Sequence, residues 1–212
     1  DGEEVRQLGT NPNNSDSDKD GFADLLEINS GTNPLDGESF PSASGDLILH
    51  FKFDGDTDDS SGNGHHAAGD HLFAADRNGE DGKALLLDGD TAFILEPLPT
   101  IPKSFTITTW ISLQTADLAG AEILSIGSGL GLRADTPNQG TIAYLNDGVR
   151  DRIMPTRQYH AGTGWRYFAY SFNHEDRTQT LYVDGVPVVE NRLSVALEPY
   201  YEFDQFVIGQ RS

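Results

Sequence analysis

The amino-acid sequence predicts an all-β protein, an antiparallel β-sandwich behind a short acidic segment. Three observations carry that prediction. After position 46, apolar residues alternate with polar ones in period two, the mark of half-buried strands. Turn residues interrupt these runs every 8–15 positions. No stretch beyond position 46 keeps a helical period over 12 residues. Many short strands at this spacing pack as two antiparallel sheets. A length of 212 residues suits one well-buried domain with a small appendage.

The acidic segment comes first in the chain. The sequence holds 34 acidic and 14 basic side chains, a formal charge of -20, which argues against nucleic acid as a partner. The charge is clustered: residues 1–45 contribute -8 and residues 46–64 a further -4. Neighbouring carboxylates repel by roughly 1 kcal/mol per pair at 4 Å in water, so such clusters stay unfolded or hold a cation. With no cysteine, disulfides, thiolate catalysis and Cys-ligated zinc are excluded. No run approaches 18 apolar residues, so no membrane insertion is expected. Asp1-Gly-Glu-Glu has no basic region followed by an apolar stretch, and no signal peptide is expected there.

From Asp16 the spacing points to the second alternative. Asp16, Asp18 and Asp20 fall at positions 1, 3 and 5 of a twelve-residue calcium loop, with Gly21 at 6, Phe22 at 7, Asp24 at 9 and Glu27 at 12. Alternate residues turn three carboxylates inward, glycine permits the bend, the Phe22 carbonyl adds an oxygen and Glu27 closes the shell. Such an oxygen set suits calcium better than magnesium. The flanks differ from a helix–loop–helix protein, because only a short apolar patch (Leu25, Leu26, Ile28) follows. Instead Asp24-Leu-Leu-Glu-Ile-Asn-Ser-Gly-Thr-Asn-Pro echoes the chain's first residues, which end in Gly9-Thr-Asn-Pro. Asp1 and Glu4 thereby correspond to Asp24 and Glu27, the last two ligand positions of a preceding loop.

On this spacing and punctuation, residues 1–37 resemble the bacterial thrombospondin type 3 repeat, a tandem calcium-binding linker of secreted and cell-surface proteins. The resemblance implies Ca2+ as cofactor and an extended, calcium-stiffened spacer. Residues 38–45 are a small-residue linker.

The sandwich is expected over 46–212. Leu47, Leu49, Phe51 and Phe53 alternate with Ile48, His50 and Lys52, and Phe105, Ile107, Thr109, Ile111 and Leu113 alternate with Thr106, Thr108, Trp110 and Ser112. Further strand-like runs lie at 83–88, 92–95, 121–126, 141–145, 165–172, 180–183 and 203–208. Asp184-Gly185 between apolar runs is a two-residue hairpin turn. Six motifs in order then carry a second resemblance: Phe53-Asp-Gly, Asp59-Ser-Ser-Gly-Asn-Gly, Gly82-Lys-Ala-Leu-Leu-Leu-Asp-Gly, Ser104-Phe-Thr-Ile-Thr-Thr-Trp, Gly164-Trp-Arg-Tyr-Phe-Ala and Leu181-Tyr-Val-Asp-Gly. From about residue 46 onward the chain resembles the concanavalin A-like jelly roll of the laminin G-like kind. That resemblance implies one more strand after Phe206-Val-Ile-Gly, expected beyond Ser212, from another segment, or not needed here. It also implies Trp110 and Trp165 as core tryptophans, and a second calcium site at Asp59 and Asn63. An Asx-rich turn serving its own backbone is the other reading of that loop.

Catalytic patterns are weak. The Glu-x-Asp-x-x-Glu strand of sandwich glucanases, which sets two carboxylates about 5 Å apart, is absent. Gly127-Ser-Gly-Leu-Gly opens no helix and is neither a phosphate loop nor a nucleophile elbow. His65-His66 has no third ligand at suitable spacing. For binding, an aromatic platform with a few polar groups is needed. Tyr144, Tyr159 and Tyr200-Tyr201 are the candidates, with Asn146, Asp147, Arg150 and Arg152 nearby in sequence. The expected function is a non-catalytic, calcium-dependent recognition or adhesion module of a secreted or cell-surface protein, taking a glycan or surface-protein ligand. The alternative is a carbohydrate-binding accessory domain of a larger polysaccharide-degrading enzyme.

Overall fold

The computed structural model describes residues 9–11, 14, 16–19, 22–37, 39, 47–88, 92–114, 122–127, 129–146, 151–193 and 205–209. Asp1, Glu4, Asp20, most of the linker, Asp147, Arg150 and Tyr200-Tyr201 lie outside them.

The sandwich is all-β and antiparallel. Among the described residues one sheet has four strands in the order β11 (Val186–Arg192), β10 (Thr178–Val183), β9 (Trp165–Asn173), β4 (Phe105–Ser112). The other has six, in the order β3 (Phe93–Leu95), β12 (Phe206–Ile208), β5 (Glu122–Ile126), β6 (Leu130–Thr136), β7 (Gly140–Asn146), β8 (Asp151–Pro155). A small hairpin joins β1 (Leu72–Ala74) to β2 (Ala84–Leu86). β12 threads between β3 and β5, so the last described strand ties the two ends of the six-stranded sheet's chain path together. The predicted hairpin forms between β10 and β11, with Asp184 and Gly185 both at positive φ, as a primed turn requires.

Alternation decides which side chains meet between the sheets. Phe168, Tyr170 and Phe172 of β9 and Leu181 and Val183 of β10 face Phe93, Leu132, Leu145 and Met154 of the opposite sheet in one core. Phe93, Leu145 and Met154 have no exposed surface, and truncating any of them to alanine is worth about 3–5 kcal/mol. Residues 47–53, predicted as a strand, form a single bridge among the described residues, from Phe51 to Asp59. Leu49, Phe51 and Phe53 still pack on the core: their alternation records which face is buried, whereas a strand also needs a paired edge.

β9 is buried on both faces, and the N-terminal repeat is the reason. Tyr167 and Ala169 point away from the main core, where Ala23 packs with them beside Trp110 and Tyr182. The expected extended spacer is therefore corrected: the described part of the repeat rests on the outer face of the four-stranded sheet through Ala23. Trp110 is corrected with it. Its inward neighbours on β4 are Ile107 and Ile111, so Trp110 faces outward, beneath the repeat rather than between the sheets.

Candidate functional site

Two acidic loops and one exposed tyrosine carry the candidate chemistry. In the first loop the patch after Phe22 forms α1 (Asp24–Ser30), a two-turn helix. Gly31, in the left-handed region, ends it: the Gly31 N–H donates to the Ile28 carbonyl and the Thr32 N–H to the Glu27 carbonyl, a Schellman closure. Gly-Thr-Asn-Pro is thus a helix stop. Its earlier copy also begins with a left-handed residue, Gly9.

Three loop carboxylates are buried: Asp16 at 1%, Asp24 at 7% and Glu27 at 0% exposure. Asp16 accepts from the Lys19 N–H (2.8 Å) and from the Arg77 guanidinium, 61 residues away in sequence. Asp24 accepts from the N–H and hydroxyl of Ser17 at 2.7 and 2.8 Å. Among the described residues no three His, Asp or Glu side chains are gathered as a metal-holding group, Asp20 being outside them. The donor chemistry nevertheless fits calcium, because every side-chain donor is an oxygen. Asp16, Asp18, Asp24, Glu27 and the Phe22 carbonyl are the described residues that would hold it.

The second loop, around Asp59, is built differently. Asp59 is 6% exposed and accepts from the N–H groups of His50 (3.0 Å), Ser61 (2.9 Å) and His65 (3.0 Å) and from the Ser61 hydroxyl (2.8 Å). Burial alone would raise its carboxyl pKa, but the hydrogen bonds from Ser61, His50 and His65 hold it below the usual value. Asn63 donates to the Leu47 and Ile48 carbonyls. The loop therefore clips residues 47–51 in place, and a calcium ion on Asp59 would have to displace at least one of these donors. His50 is pushed to lower pKa by burial and by Lys52.

Tyr144, Asn146 and Tyr159 do not come together. Tyr144 is only 4% exposed. Its ring crowds Gly131, where an added Cβ would sit 2.4 Å away, and the Arg133 guanidinium lies 4.3 Å from its centroid. Its hydroxyl donates to Glu122 (3.2 Å), which also pairs with Arg133 (2.8 Å). Burial and then the Glu122 charge raise the phenol's pKa. A ring buried to this degree offers no stacking surface, which corrects Tyr144 as a platform. Asn146 ends β7, whereas Tyr159 lies beside its start, about 20 Å away along the strand.

Tyr159 is 47% exposed, with its oxygen held by the Asn138 N–H at 2.7 Å. The loop after β8 and the β6–β7 turn are laced together: the Arg157 N–H donates to the Gln139 carbonyl and the Thr141 N–H to the Gln158 carbonyl. Gly140 makes the approach possible, since a Cβ there would lie 2.2 Å from the Gln158 carbonyl oxygen. The result is an exposed ring among exposed Asn138, Arg157 and Gln158. Sequence reasoning missed these partners, although Asn138-Gln139-Gly140 is a visible turn signal. It also missed Arg77 and the Glu122–Arg133 pair, because nothing local links residues so far apart.

Comparison with known proteins agrees with this architecture. A sequence model described as the concanavalin A-like lectin/glucanases superfamily matches residues 87–212, more than half of the chain. The bacterial TSP3 repeat, a calcium-binding family, matches residues 1–15 and 16–37. No curated protein matches the chain. Among solved structures, it is similar to domain 4 of an extracellular family 43 arabinanase from Geobacillus stearothermophilus in complex with arabinotriose, at 17% identity and a TM-score of 0.59, covering 76% of this chain and 82% of that domain. It is also similar to the binding domain of a paraclostridial mosquitocidal protein, at 14% identity and a TM-score of 0.58, covering 73% of this chain and 42% of that one. At these identities the likeness establishes the fold. Among the described residues, no helix is long and apolar enough to cross a membrane.

Proposed function

The chain belongs to the concanavalin A-like lectin/glucanase superfamily, and from that premise we propose that it is a non-catalytic glycan-recognition module of a secreted or cell-surface protein, carrying a calcium-binding repeat. The observation that carries this reading is the exposed Tyr159 ring, fixed by the Asn138 N–H among Asn138, Arg157 and Gln158 at one end of the sandwich. A flat apolar face with convergent amide and guanidinium donors is what a sugar ring and its hydroxyls require. Arg133 and Tyr144 engage the buried Glu122, which serves the sheet rather than a reaction.

In the repeat, Asp16, Asp18, Asp20, the Phe22 carbonyl, Asp24 and Glu27 would coordinate calcium, with Asp1 and Glu4 belonging to the preceding unit. Calcium would supply charge compensation for these acids.

A glycan array probed with the full chain, with and without calcium, tests the recognition reading. Arabinose oligosaccharides lead the panel, since the arabinanase domain was seen with arabinotriose. Tyr159→Ala should weaken binding about tenfold or more, the effect of removing a stacking anchor. Absence of binding to every glycan sinks this reading. An accessory role beside a polysaccharide-degrading domain is favoured if the bound glycan is such a polysaccharide. Calorimetry with Asp20→Ala tests the calcium site, and that variant should lose calcium binding.

A further inference from the structure

The repeat and the sandwich share an interface that places the calcium loop in direct contact with the sheet. Ala23, at loop position 8, is 1% exposed and packs against Tyr167 and Ala169, with Trp110 and Tyr182 around it. Leu25, the second residue of α1, lies over the β10–β11 turn, 3.4 Å from where a Cβ of Gly185 would stand. Phe22 approaches His50 with ring centroids 6.1 Å apart. The polar link is Arg77, in the turn between β1 and β2. Asp76 builds that turn by accepting from the N–H groups of Asn78 and Glu80. Arg77 bonds Asp16, loop position 1, and lies 4.9 Å above the Trp110 ring. Asp16, the first loop position, is thus held through Arg77, which lies over Trp110, and Ala23, the eighth, packs on the four-stranded sheet directly.

We infer that this docking makes calcium loading of the repeat and stability of the sandwich one equilibrium, with Ala23 as the wedge and Arg77 as the positioning residue that joins the loop to Trp110. The inference rests on the calcium reading of residues 16–27. A ligand that favours the docked repeat must stabilise the surface it docks on, and docking must in turn tighten the ligand by the same factor. A detached repeat would bind calcium without the sheet registering it.

The test uses the full chain, with calorimetry for calcium affinity and tryptophan emission for sandwich unfolding. At calcium 100-fold above the dissociation constant the sandwich midpoint should rise by about 5–10 °C. Ala23→Phe, which overfills the wedge and leaves every ligand in place, should abolish that rise and weaken calcium about 5- to 150-fold. Arg77→Gln should do the same in smaller measure, and Arg77→Lys should restore part of it. If Ala23→Phe fails to fold, the Arg77 pair still decides, since a purely structural arginine lowers the midpoint equally with and without calcium. Calcium binding by calorimetry with an unmoved wild-type midpoint overturns the coupling and leaves the calcium reading standing. No binding heat overturns both.

Discussion

The loops at 16–27 and 54–63 look alike in sequence, both dense in aspartate, yet they meet the same physical problem in opposite ways. Each buries a carboxylate almost completely, Asp16 at 1% and Asp59 at 6% exposure. Asp59 is answered by neighbours within nine residues, through the N–H groups of His50, Ser61 and His65. Asp16 accepts from the local N–H of Lys19 and also from a guanidinium 61 residues away. The difference teaches that acidic clusters of like composition can hold their buried carboxylates through different partners. A carboxylate bonded within its own turn holds that turn together, and one that also bonds a guanidinium 61 residues away ties distant parts of the chain to each other.

Three experiments sharpen that contrast. The largest effect belongs to Asp59→Ala, which leaves several buried donors without their acceptor and should lower stability by about 3–4 kcal/mol. Urea unfolding measures it, and the loss should be the same in calcium and in chelator; a loss confined to calcium would make Asp59 a ligand. Arg77→Gln should remove about 2 kcal/mol in chelator, less than a fully buried pair loses, because Arg77 keeps 19% of its side chain exposed. A variant indistinguishable from wild type there would show that Asp16 does not depend on its remote partner.

The smallest effect is in pH. Asp59 and Asp76 have carboxyl pKa values below their ordinary one in the folded protein, held there against burial by backbone hydrogen bonds. Their contribution is present above the unfolded value, near pH 4, and is lost as pH falls through the lower folded value. His50, lowered by burial and Lys52, acts in the same sense at higher pH: the unfolded chain binds its proton first, so stability declines as pH falls below about 6.5. Asp59→Asn should flatten the acid limb below pH 4 and leave the His50 limb in place. An unchanged acid limb would remove Asp59 from the account.

The local record in the sequence was accurate about faces and less so about partners. Phe105, Ile107 and Ile111 alternate in the sequence and line the core in the structure. Leu49, Phe51 and Phe53 alternate in the same way and are also turned to the core, but their segment is no strand, because pairing depends on an edge elsewhere. β6 escaped notice because Gly131 interrupts its pattern. That glycine is there for the Tyr144 ring, which arrives from the next strand. Tyr144 and Tyr159 were equivalent candidates on composition alone. What separates them is that Arg133 and Glu122 close over one and the Asn138 N–H holds the other at the surface.

Sequence by itself determined the all-β class, the hairpin at Asp184-Gly185, the spacing of the calcium loop and the two family resemblances. Each of these is a short-range property, set by period, turn chemistry or ligand spacing within a dozen residues or so. Tertiary structure alone decided that the repeat lies on the sheet instead of extending from it, that Trp110 faces outward beneath Ala23, and that Arg77 is the cation Asp16 meets. Those outcomes depend on surfaces assembled from residues some 60 or more positions apart, and their complementarity exists only once both surfaces have formed.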